Sequence, residues 1–123
     1  MNNGKKYSVI GVMSGTSLDG LDIIKCSFIF KKDWEYRIHK CKTVKYSKKW
    51  FQTLSTLHQK NQKKIDQISI AYGNFIAKEI NEFISKDELV DIICSHGHTI
   101  FHQPEKNITL QIGDGKTIAD KTG

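Results

Sequence analysis

Gly11-Val-Met-Ser-Gly-Thr-Ser-Leu-Asp-Gly-Leu-Asp22 is the stretch on which the reading of this chain turns. Before it, Tyr7–Met13 reads as a short strand. After it, Asp22–Phe30 places Ile24, Cys26, Phe28 and Phe30 at every second position, the period of a strand with these side chains on one face. The segment between is a strand-to-strand turn. Gly11, Gly15 and Gly20 let its backbone take positive φ and approach a ligand closely. Ser14, Thr16 and Ser17 add hydroxyls beside exposed N–H groups, which is the chemistry of a phosphate cradle. Asp19 and Asp22 would repel bare phosphate, but they make sense where a hydrated Mg2+ lies between carboxylate and phosphate. An ordinary hairpin uses glycine and aspartate too. It has no need of two carboxylates among so many hydroxyl and glycine positions.

Working outward, Trp34–Tyr46 predicts a third strand with Trp34, Tyr36, Ile38, Val44 and Tyr46 in phase, after a turn at Lys32–Asp33. Lys40 and Lys42 interrupt it and mark an edge or an exposed end, where charge discourages further pairing. Lys48–His58 reads as a helix carrying Trp50, Phe51, Leu54 and Leu57 on one face. Ile65, Ile68, Tyr72, Phe75, Ile76, Ile80 and Phe83 recur at three- and four-residue steps and predict a long helix over Gln62–Ser85. Gly73 weakens that helix by ~1 kcal/mol relative to Ala, so it is expected to mark a close contact of helix on sheet. Val90–Cys94 reads as a strand buried on both faces, Asn107–Ile112 as a further extended segment, and Lys116–Thr122 as the start of a helix. The order β-β-β-α-α-β predicts an α/β domain whose sheet opens with an antiparallel meander.

Composition narrows the function classes. At 38% hydrophobic and 26% charged, with a single Pro, the 123-residue chain is ordinary for a soluble globular protein. No apolar stretch approaches the ~20 residues that span a bilayer, and Met1–Tyr7 leads straight into a strand, so the expectation is a cytoplasmic protein with no membrane partner. The net charge of +6 comes from lysines spread from Lys5 to Lys121, mainly at turns and polar faces. A nucleic-acid reader would concentrate them on one element among aromatics. No nucleic acid is therefore expected, although phosphate ligands would be steered favourably. Cys26, Cys41 and Cys94 lack C-x-x-C spacing and read as buried, reduced thiols.

Two motifs need weighing. Gly113-Asp-Gly-Lys-Thr117 looks like the end of a P-loop, but the glycine that shapes such a loop is replaced by Leu110, and the motif is rejected. His96-Gly-His-Thr-Ile-Phe-His102 could be read as a metal site, yet no nearby cysteine or carboxylate supplies a fourth ligand. A ligand-facing loop, with imidazoles and Thr99 in hydrogen bonds, is the preferred reading.

These residues together carry a resemblance. Gly11–Asp22 resembles the N-terminal phosphate signature of the anhydro-N-acetylmuramic acid kinases, G-x-M-S-G-T-S-x-D-G-x-D. Ser95-His-Gly-His-Thr99 with Phe101-His-Gln-Pro104 resembles that family's second block. Thr109-Leu-Gln-Ile-Gly-Asp114, followed by Ile118-Ala119 and Thr122-Gly123, resembles its third. The resemblance implies the actin-like, hexokinase-like ATPase fold (ribonuclease H-like). Residues 1–123 would be the N-terminal part of the first lobe of a two-lobe sugar kinase, with the second lobe absent. It also implies a reaction: ATP and water open the anhydro ring of 1,6-anhydro-N-acetylmuramic acid and phosphorylate O6, giving N-acetylmuramic acid 6-phosphate in peptidoglycan recycling. By the same resemblance Gly15, Thr16, Ser17, Leu18, Asp19, Gly20, Leu21 and Asp22 hold the ATP phosphates, with Asp19 and Asp22 near Mg2+ through water. His98, Thr99, Gln111 and Asp114 face the sugar cleft.

Two departures accompany the resemblance. Where the family commonly has Gln in H-G-Q-T, this chain has His98, whose protonation would make sugar binding pH-sensitive. The base that activates water is expected beyond Gly123, so the chain reads as truncated and inactive alone. The alternative class is a non-catalytic phosphate- or sugar-binding or interaction fragment. An open half-cleft would leave apolar surface uncovered, and the expectation is self-association, with a homodimer as one outcome, or marginal folding.

Overall fold

The glycine-rich turn does lie between two strands of one sheet. The computed structural model describes residues 4–14, 18–106 and 108–123, with the side chains at 101–104, 108 and 109 outside that set. Strands β1 (Lys6–Ser14), β2 (Gly20–Phe30) and β3 (Trp34–Lys45) form the expected antiparallel meander. β4 (Ile92–Ser95) pairs parallel with β1, and the order is β3-β2-β1-β4. Helices α1 (Lys48–Thr56) and α2 (Gln62–Phe83) separate β3 from β4. A second, two-stranded antiparallel sheet pairs β5 (His98–Gln103) with β6 (Ile108–Ile112), and α3 (Gly115–Thr122) follows. The mixed α/β class is as expected.

Each helix starts where its sequence supplies a cap. Ser47 accepts from the N–H of Trp50 at the head of α1, and Asn61 accepts from the N–H of Lys64 at the head of α2. The apolar stripe of α2 buries Ile65, Tyr72, Ile76, Ile80 and Phe83, with Ile68 and Phe75 packed at its margin. They meet Ile10 and Val12 of β1, Leu21 and Ile23 of β2, Leu54 and Leu57, and Ile112 and Ile118. Each fully buried aliphatic side chain here contributes roughly 1.5–3 kcal/mol. The core thus lies on one face of the four-stranded sheet.

The opposite face carries no helix among the described residues. The pairing puts Tyr7, Val9, Ile24, Cys26, Phe28, Trp34, Tyr36, Ile38 and Ile92 on that side. Ile24, Cys26, Phe28 and Phe30 share a face as expected, but it is this uncovered one. The in-phase set in β3 is corrected in another way. A bulge opposite Lys25/Cys26 leaves His39 unpaired between Ile38 and Lys40, so Trp34, Tyr36 and Ile38 project to the open face while Val44 and Tyr46 face the core.

Other expectations change as well. β4 is not buried on both faces: it is the outer strand of the described sheet, and Ile92 is 45% exposed. All three cysteines are free and all three lie on the open face, yet only Cys26 is buried, because it sits in β2 between β1 and β3 while Cys41 and Cys94 lie on the outer strands β3 and β4. Phe51 is exposed rather than part of the α1 core stripe. Gly73 packs not on the sheet but on the start of α3. A Cβ there would stand 3.0 Å from the Asp114 carbonyl oxygen and 3.2 Å from its nitrogen. His96–His102, expected as a ligand-facing loop, is a strand from His98 onward, β5 running His98–Gln103.

Candidate functional site

Ser14 ends β1 immediately before the glycine turn, and its side chain is buried. Its Oγ lies 2.8 Å from Nδ1 of His98, the first residue of β5. The Tyr46 hydroxyl donates to the same Oγ at 2.6 Å, and Tyr46 shares a short hydrogen bond with the Tyr72 hydroxyl. A four-member polar chain therefore runs from α2 through the end of β3 and the end of β1 to the β5–β6 hairpin. Burial pushes both phenols above their ordinary range and pushes His98 below its own. Tyr46 and Tyr72 were legible as core positions but not as partners of Ser14. The available signal was that a buried phenol needs a hydrogen-bonding partner.

Gly97 makes the entry of His98 into this core feasible. It has φ +74°, and a Cβ there would fall 2.2 Å from the Ile112 carbonyl oxygen. Across the hairpin, Thr99 pairs with Gln111, and the Gln111 amide lies 3.3 Å from Nε2 of His96. His96 in turn lines a groove of about 940 Å3 on the open face with Met13, Asp22, Ile24, Cys41 and Cys94. That volume is in the range of small-molecule sites. Asp22 is exposed in β2, and its Oδ1 accepts from the Thr43 hydroxyl at 2.6 Å.

The remaining expected site residues spread out. Gly15, Thr16 and Ser17 lie outside the described residues. Leu18 leaves that turn with φ 58°, a conformation uncommon for a residue with a Cβ. Gly20 is required by the fold, since a Cβ would stand 2.5 Å from the Val44 carbonyl oxygen. Leu21 is fully buried, so only its backbone is available to a ligand. Asp19 is exposed and lines a separate pocket with Lys45, Ser47, Lys48 and Gln52, away from the groove that Asp22 lines. Asp114 caps α3: its Oδ2 accepts from the Thr117 N–H at 3.0 Å and the Thr117 hydroxyl at 2.6 Å. Those bonds hold its carboxyl below the usual carboxylate range. Lys116, the lysine of the rejected P-loop, is exposed and pairs with Asp120 at 2.9 Å.

The structure thus joins His98 to the end of β1 and joins Gln111, through His96, to the groove beside Asp22. One exposed carboxylate with a hydroxyl partner fits an outer contact to a hydrated cation. Among the described residues no group of three or more His, Cys, Asp or Glu side chains is arranged to hold a metal directly.

A family model described as anhydro-N-acetylmuramic acid kinase matches residues 7–123. The anhydro-N-acetylmuramic acid kinase of Pseudoalteromonas translucida is 32% identical over a match that covers 94% of this chain and 33% of that protein. The Acinetobacter baylyi enzyme of the same name is 35% identical, over 93% of this chain and 31% of its own length. That of Pseudoalteromonas atlantica is 33% identical, over 98% and 35% respectively. The chain spans about a third of the length of the curated relatives it matches. The family match runs from the first strand through the glycine turn, the His98 hairpin and α3, and by it this chain belongs to the anhydro-N-acetylmuramic acid kinase family.

Proposed function

We propose that residues 1–123 form the N-terminal part of the first lobe of a two-lobe, actin-like sugar kinase. This kinase uses ATP, Mg2+ and water to open 1,6-anhydro-N-acetylmuramic acid and form N-acetylmuramic acid 6-phosphate. The Ser14–His98 hydrogen bond carries the reading. It fixes the residue next to the glycine turn against the first residue of the hairpin that bears Thr99 and Gln111. The end of β1 and the start of the hairpin, far apart in sequence, meet there, which supports reading the segments they carry as parts of one ligand site.

Within this reading the backbone and hydroxyls of residues 15–22 bind the nucleotide phosphates. Asp22 receives a hydrated Mg2+ through water, while Asp19, three residues before it, faces a pocket of its own. ATP bound there would supply the phosphoryl group. Phosphoryl transfer asks a protein mainly for positioning and charge neutralisation, and these residues offer both. His98, Thr99 and Gln111 orient the sugar, and Asp114 holds the start of α3 beside them. The setting is cytoplasmic, and a homodimer through the open sheet face is part of the proposal.

The test is chemical-shift mapping on the chain. The anhydro sugar should move resonances of His98, Thr99 and Gln111, and Mg2+-ATP those of residues 18–22. If neither ligand shifts its set at millimolar concentration, the reading fails.

A further inference from the structure

We infer that Tyr72, Tyr46 and Ser14 form a one-way hydrogen-bond relay that holds His98 as its neutral Nε2–H tautomer, so that position 98 offers a ligand a hydrogen-bond donor. The three are positioning residues, and only the identity of the ligand as a sugar rests on the function proposed above.

The direction follows from counting protons. A phenol has one to give, and Tyr46 gives its own to Ser14 Oγ at 2.6 Å. The bond between the two tyrosines must then take its proton from Tyr72. Ser14, having received one proton, still has its own. It is 6% exposed, and besides the Tyr46 donor its Oγ has Nδ1 of His98 in hydrogen-bond geometry at 2.8 Å, while the nearby Tyr72 hydroxyl is engaged with Tyr46. The hydroxyl proton therefore points at Nδ1. An accepting Nδ1 carries no proton, and a neutral imidazole must then carry it on Nε2.

The surroundings keep that order. The Tyr46 and Tyr72 rings are held against each other and against Phe75 at centroid distances of 6.3, 6.1 and 6.0 Å. The Tyr72 ring also meets the His98 imidazole edge-on at 6.4 Å. With His98 only 4% exposed, a second proton would place a charge in the core and turn Nδ1–H against the Ser14 hydroxyl. The ligand chemistry that fits an Nε2–H donor is an oxygen acceptor: a carbonyl, a carboxylate or an ether oxygen of a sugar.

Long-range 1H–15N correlation of the imidazoles in the labelled chain at pH 8 tests the relay. His98 is expected to show a protonated Nε2 and an unprotonated, hydrogen-bonded Nδ1. Ser14→Ala should move the Nδ1 resonance toward that of a nitrogen with no donor. Tyr46→Phe, which keeps the ring and the packing, should move it the same way by less. A wild-type His98 carrying its proton on Nδ1, with the Ser14 hydroxyl turned back onto the tyrosines, would overturn the inference. So would an Nδ1 resonance unmoved in both folded variants. Adding 1,6-anhydro-N-acetylmuramic acid is read separately. An Nε2 that stays put in the assigned tautomer counts against the sugar reading and leaves the relay supported.

Discussion

Asp22 and His98 carry the two residue-scale predictions. Asp22 is exposed and bonded to Thr43, and Asn keeps an acceptor for that hydroxyl. Asp22→Asn should therefore leave the melting temperature nearly unchanged while weakening Mg2+-dependent ATP binding at least tenfold, or about 1.4 kcal/mol. Sugar affinity should stay within about twofold on the same scale. Calorimetry with and without Mg2+ measures all three, and unchanged ATP affinity in the folded variant removes Asp22 from the cation site. For His98 the sign comes from burial, which lowers its folded pKa below the ordinary value of about 6.5. Between the two values the unfolded chain binds more protons than the folded one. Stability is then full above about pH 6.5, falls as pH drops through that value, and stops falling below the folded pKa. Melting curves from pH 8 to 5 should show this loss, and His98→Gln, which cannot titrate, should flatten it. A variant with the wild-type slope would assign the loss elsewhere. Asp114 shows what the residue-level reading left out. The resemblance assigns it to the sugar cleft, and the structure adds that its carboxylate caps α3. An Asp just before a helical stretch is itself a cap signal that the sequence offered.

At the scale of elements, the strongly periodic segments were legible and the phase-breaking ones were not. The stripe of α2 and the meander follow from spacing alone, because one buried face demands a regular period. The bulge at His39 left no such trace, since Arg37 before it and Lys40 and Lys42 after it suit an exposed position on either face. β4 was misjudged for a related reason. An apolar run such as Ile92–Cys94 reports what its side chains favour, not what covers them. Gly73 supports a prediction that separates helix propensity from packing. On propensity alone, Gly73→Ala would stabilise α2 by about 1 kcal/mol. The added methyl would instead press on backbone atoms at the start of α3, at 3.0 and 3.2 Å, where little can give. We expect a net loss of stability, read as a lower denaturation midpoint with an unchanged slope. A raised midpoint would show that α3 moves aside freely.

Among the described residues one face of the four-stranded sheet is covered and the other is bare. On the bare side Tyr36 is 71%, Ile38 55% and Met13 53% exposed, too much apolar surface in one place to be incidental. Three long strands and one short one, spaced ~4.8 Å apart with ~3.3 Å per residue, present roughly 500–600 Å2. Two copies face to face would bury about 1,000–1,200 Å2, near the lower bound for a stable interface. Sedimentation should accordingly show a concentration-dependent monomer–dimer equilibrium that Ile38→Lys shifts to monomer. A wild-type chain that stays monomeric at high concentration would exclude this pairing. The parallel ladder between β1 and β4 has a consequence for biosynthesis. It joins segments 83 residues apart, as in the bond between Ser8 and Asp91. At ~5–20 residues per second the ribosome needs roughly 4–17 s to travel between them. During that interval β1 has β2 beside it but nothing on its other side. The strand that ends inside the finished sheet is born as an open edge, and the nascent meander is the stage at which this chain most needs a chaperone.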